Sequence, residues 1–250
     1  MTLNKIELYK INRIFIICDK ENEKDKYDKW TRWLKDNNFD ESYYEFFSYK
    51  WGTNLTDEDL KEHSIDDGTL VKLFPFRAKF PLKKSEISLG INFMKILQKG
   101  LKEGYSNILV FESDAILHPN FIEKFNSYMK EVYESYTLWH ILSIGCGMNK
   151  HVKNIKKKKN IYMGSEMRCN DSLVFNLRAM KVITENISKL KLPIDEHFDL
   201  LVKNHKIIIL WAEPTIVIQG SQCGQNPTTI RSHDSVYVSE CEWLKDVKYK

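Results

Sequence analysis

The sequence has no long apolar run. Its longest, residues 14–18 and 207–212, fall far short of the roughly 20 residues a membrane helix requires. No membrane span is therefore expected. The first run is also too short for a signal-peptide core, and no small-residue cleavage site follows it, so a cytoplasmic location is expected. An excess of one charge is lacking too. Lys and Arg number 38 against 34 Asp and Glu, a net charge of +4, too little to mark a nucleic-acid binder. Cysteine is sparse: Cys18, Cys146, Cys169, Cys223 and Cys241 show no CxxC or CxxH spacing. That argues against a zinc site and a disulfide framework and favours a reducing compartment. There is no internal repeat and no clear linker, so the 250 residues read as one domain, 1–250.

What the sequence does have is the balance of a globular chain, 42% hydrophobic and 29% charged. Residues 14–18 form a buried-strand signal, followed by Tyr27, Trp30, Trp33 and Leu34 at helical spacing. Residues 40–84 are less regular and read as a long, partly ordered connection. From Ser85, a natural N-cap, Ile87, Ile91, Met94 and Leu101 mark one helical face that Gly100 and Gly104 close. Further strands are expected at 107–111, 139–144, 173–175 and 207–211. Helices are expected after Phe121, at 178–186 and from Asp195. Residues 151–160, with a lysine run at 156–159, read as a solvated loop. Strands alternating with helices imply an α/β architecture, a mostly parallel Rossmann-like central sheet covered by helices on both faces.

The chemistry concentrates at Glu112-Ser113-Asp114, directly after the strand Ile108-Leu109-Val110-Phe111. Ligands of open α/β sheets bind outside the carboxyl ends of the strands. Two carboxylates at i and i+2 there can turn toward one hard cation, Mn²⁺ or Mg²⁺, whose shell is completed by phosphate oxygens. By itself such a triplet is also what a solvated turn looks like. His233 could complete the metal shell as an imidazole ligand. Ile17, Cys18 and Asp19, ending the first strand, border the crevice where a mononucleotide docks in such sheets. Lys84 and Ser85, with Arg77 and Lys83, lie where a diphosphate could be met. Asp195 and Glu196 open a helix, and Asp195 is equally well suited to cap it.

The ordered set of segments resembles glycosyltransferase family 25, which includes lipooligosaccharide and collagen galactosyltransferases. The resemblance runs through Ser85-Glu86-Ile87-Ser88-Leu89, the helix to Gly104, and the strand ending in Glu112-Ser113-Asp114. It extends to Trp139-His140-Ile141-Leu142-Ser143-Ile144-Gly145, Leu192-Pro193-Ile194-Asp195 and the stretch from Pro214 to Ser221. The resemblance implies a GT-A type fold and a nucleotide-sugar donor, often linked to uridine diphosphate. It implies transfer of a hexose or pentose to a hydroxyl of a glycan or glycoprotein acceptor, with inversion. Within that reading Glu112, Ser113 and Asp114 hold metal and donor, Asp195, with Glu196 beside it, is the general base, and Asn170 and Asp171, before a strand, are placed for acceptor contacts. The competing expectation is an inactive GT-A domain that binds a glycan or nucleotide sugar. A metal nuclease or nucleotidyltransferase ranks last, having too few acidic ligands.

Overall fold

The computed structural model describes residues 6–75, 82–146, 150–152, 156 and 159–221. His233, Arg77, Cys223 and Cys241 lie outside the described residues, as does part of the lysine run. The chain opens with β1 (Arg13–Ile17), α1 (Lys24–Asp36) and β2 (Tyr44–Phe47). Two short helices follow, α2 (Asp57–His63) and α3 (Thr69–Leu73), then the long α4 (Lys84–Lys102). Next come β3 (Asn107–Glu112), β4 (Ala115–Leu117), α5 (Phe121–Ser135), β5 (Ile141–Ser143) and β6 (Ile161–Met163). The described chain ends through β7 (Ser172–Asn176), α6 (Leu177–Asn186), α7 (Ile194–Lys203), β8 (Ile209–Ala212) and β9 (Val217–Gln219).

Among the described residues, seven strands form one sheet in the order β2-β1-β3-β7-β5-β8-β6. β1 pairs parallel with both β2 and β3, and β5 pairs parallel with β8. β7 runs antiparallel between β3 and β5, and β6 antiparallel against β8. The fold is thus α/β with a mixed sheet in which most strands share one direction. Alternation along the strands builds two cores. Phe15, Ile108, Val110, Leu173 and Phe175 pack with α4, α6 and α7 on one face. Ile14, Ile16, Leu109, Phe111 and Val174 pack with α1 and α5 on the other. Period-2 alternation with both faces apolar is what a helix-covered sheet demands.

Three elements depart from the sequence expectation. The 40–84 stretch contains β2, whose Tyr44, Glu45, Phe46 and Phe47 are all half-buried, an edge strand too mixed in polarity to announce itself. β4 and β9 leave the main sheet and pair with each other. α4 starts two residues earlier than its Ser85 cap would place it, with Lys83 at the cap position, and Glu86 accepts the Lys83 N–H at 2.8 Å. Its far end does close as expected, with Gly104 at φ +69° in the left-handed region just past the last turn.

Candidate active site

The register of the sheet assembles the site. Ile17 pairs with Glu112, and Phe111 with Ser172, so the carboxyl ends of β1 and β3 and the beginning of β7 share one edge. The turn after β3 opens there on a cleft of about 390 Å³. Ile17, Lys84, Ser85, Glu112, Ser113 and Asp114, all named from the sequence, line it. Glu23, Lys26, Trp51, Lys83, Asn92 and Gln219 line it too. Glu23 and Lys26 gave a detectable signal, an acid–base pair at i, i+3 opening α1. Trp51 comes from a loop and gave none.

The turn is held from α1. Ser113 Oγ donates to Glu23 Oε1 at 2.7 Å, and Lys26 Nζ donates to the same oxygen at 2.6 Å. Trp30 Nε1 donates to the Ser113 carbonyl at 2.9 Å. Gln219 Nε2 reaches Glu112 Oε2 at 3.3 Å, and the Ser221 N–H donates to Asp114 Oδ2 at 3.0 Å. Asp114 is buried, and Glu112 is half-buried. Burial first, then the charges of Asp114, Asp171 and Asp195, hold the Glu112 carboxyl well above the usual carboxylate range, with Lys26 opposing. Burial and then Asp114 also push Asp171 up to about 7.

Two expected nucleotide contacts sit elsewhere. Cys18 is one residue beyond Ile17, so the pleat turns it to the α1 face, where it packs in the core with Trp30. Burial pushes its thiol up to about 12. The Asp19 carboxylate folds back to accept the N–H groups of Glu21 and Asn22 and the Ser48 hydroxyl. Although burial opposes it, those bonds hold Asp19 below its ordinary value. Neither residue lines the cleft. Asp171, expected to meet an acceptor, is wholly buried just before β7 and does not line the cleft. Asp195 is not the cap of α7, which begins at Ile194 after Pro193; its Oδ1 accepts the Glu196 N–H at 3.0 Å. Neither Asp195 nor Glu196 lines the cleft, although the charge of Asp195 acts on Glu112 and Cys169. Burial and then Asp195 raise Glu196 above its ordinary value.

Among the described residues no three His, Cys, Asp or Glu side chains converge to form a metal site by themselves. A pair of carboxylates, with phosphate and water completing the shell, is nevertheless how Mg²⁺ is usually held. The hard oxygen donors here, including a buried Asp171 carboxylate without hydrogen-bond partners, suit such an ion.

No protein-family model matches the chain, and no curated protein matches it. Among solved structures it is similar to a UDP-glucose pyrophosphorylase in complex with UDP-glucose, with 11% identity and a TM-score of 0.39. That similarity covers 80% of this chain and 72% of the other. A likeness this distant carries no inference about chemistry. Among the described residues no helix is long and apolar enough to cross a membrane.

Proposed function

We propose that the protein is a metal-dependent, inverting glycosyltransferase of the GT-A type, related to glycosyltransferase family 25. It would move a hexose or pentose from a nucleotide-diphosphate sugar, UDP-linked, to a hydroxyl of a glycan or glycoprotein acceptor. The observation that carries this reading is the Glu112-Ser113-Asp114 turn, anchored on α1 and opening at the carboxyl edge of the sheet onto a cleft. The same cleft is lined by Lys26, Lys83 and Lys84, which suits an anionic ligand.

In this reading Asp114 and Glu112 hold Mn²⁺ or Mg²⁺, which supplies Lewis-acid neutralisation of the departing diphosphate. Lys84 and Ser85, at the first turn of α4, meet the diphosphate with help from the helix N-terminus. Ile17 flanks the nucleoside. Asp195 takes the proton of the acceptor hydroxyl as general base, from the first turn of α7 where a carboxylate is favoured by the helix dipole. Glu196 adjoins it.

The test is a donor panel. The protein is incubated with Mn²⁺ and each common nucleotide sugar, and released nucleotide is read. UDP should be released from a UDP-sugar only when the metal is present. Asp195→Asn should lower that turnover by about 10²–10⁴-fold while leaving donor binding unchanged. Metal-dependent binding without release would instead favour an inactive binding module. Failure of every nucleotide sugar to bind would sink both readings.

A further inference from the structure

Asp171 is wholly buried, yet neither Oδ1 nor Oδ2 has a hydrogen-bond partner, and the side-chain oxygens of Asn170 and Ser172 on either side are equally unpartnered. Three consecutive polar residues thus carry orphaned oxygens, and those of Asp171 and Ser172 lie together beside Gly145. Buried polar groups left in this state are rare, because each forfeits its hydration without compensation. Room has been made for them. A Cβ built on Gly145 would stand 2.0 Å from Asp171 Oδ2 and 2.5 Å from Ser172 Oγ, so only glycine fits beside these oxygens.

The nearby cation eases the charge of Asp171 without a hydrogen bond to it. Arg168 donates Nη1 to Glu213 and Nη2 to the carbonyls of Ser143 and Ala212. Asp171 is meanwhile tied to the acidic turn, since its carbonyl accepts the Glu112 N–H at 3.0 Å. Asp114, two residues beyond Glu112 in the same turn, is the buried carboxylate of the cleft lining.

We propose that Asp171 is the buried anchor of a divalent-cation site shared with Asp114, its unpaired oxygens and the neighbouring Ser172 and Asn170 oxygens supplying hard ligands from beneath the cleft. Carboxylates, neutral oxygens and water together make an ordinary shell for a hard divalent cation. The inference rests on the cleft being the donor site proposed above and names the residue that makes its cation requirement. Without the ion, the Asp171 carboxylate is a liability to the fold. With it, the same carboxylate is a ligand.

Manganese alone is the probe. Binding is followed by the electron paramagnetic resonance of free Mn²⁺, and melting temperature is recorded with and without the ion, for the wild type and Asp171→Asn. The variant is nearly isosteric and removes a buried unpaired carboxylate. Its metal-free melting temperature should equal or exceed that of the wild type. Its Mn²⁺ affinity should fall at least about tenfold, and the Mn²⁺-induced rise in melting temperature should vanish. A variant that melts lower or fails to fold without metal marks a structural role and overturns the proposal. So does wild-type Mn²⁺ affinity in the variant, or a wild type that binds neither Mn²⁺ nor Mg²⁺. The donor reading fails separately. If the wild type binds Mn²⁺ through Asp171 but no nucleotide sugar, the cation site stands and the transferase assignment falls.

Discussion

Glu112 and Asp114 stand two residues apart and have different surroundings. Glu112 closes β3, takes a hydrogen bond from Gln219 and is held above its ordinary protonation range by burial and by three neighbouring carboxylates. Asp114 lies beyond the turn, and its Oδ2 takes the Ser221 N–H. Asp114→Asn keeps an oxygen for that bond and removes only the charge. It should therefore fold normally and lose Mn²⁺-dependent donor binding, read by calorimetry; full donor affinity would remove Asp114 from the metal site. Ser113, between them, is spent on Glu23 and is an anchor for the turn. At this scale the sequence was most informative where chemistry is carried by neighbours along the chain. It was least informative for Asp171, whose importance depends on what does not surround it.

At the scale of elements, α7 carries the proposed base, and the segment before it is fastened by His197. The Nε2 of His197 accepts the N–H groups of Lys191 at 2.9 Å and Leu192 at 3.2 Å, a role open only to the neutral ring. Burial, then the charge of Lys191, pulls its pKa down to about 4 from an ordinary 6.5. A basic group depressed in the folded state stabilises it fully above the unfolded pKa, and that contribution is lost as pH falls toward the folded value. The wild type should therefore lose stability between pH 6.5 and 4, by on the order of 2 kcal/mol from this residue once its partial exposure is discounted. His197→Gln should flatten that segment of the stability–pH curve in denaturant titrations. An unchanged slope would show that the imidazole is not the titrating group. The helix itself was legible from its apolar spacing. Its start at Ile194, and with it the loss of the capping role for Asp195, was not, because Pro193 sets the first turn.

For the whole molecule, a ligand that binds only the folded state stabilises it by mass action. A UDP-sugar at a hundred times its dissociation constant should add about 2.7 kcal/mol, a rise of roughly 5–10 °C in melting temperature for a chain of this size. The rise should require Mn²⁺ and donor together, and a full shift with nucleotide alone would contradict the metal-dependent reading. Local signals carried much of the architecture. The apolar runs that become β1, β3 and β8, the amphipathic spacing of α1 and α4, and the placement of Glu112-Ser113-Asp114 at a strand exit are all features of contiguous residues. The sequence by itself determined an α/β chain with an acidic turn at the carboxyl end of a buried strand, because hydrophobic period and strand-exit chemistry are local. Only the tertiary structure decided that β7 inserts antiparallel between β3 and β5, since strand direction depends on how connections pack across the sheet. That insertion brings Asp171 beneath residue 112, and the pleat turns Cys18 away from the cleft. Both outcomes rest on pairing and on packing against distant residues, which no window of sequence contains.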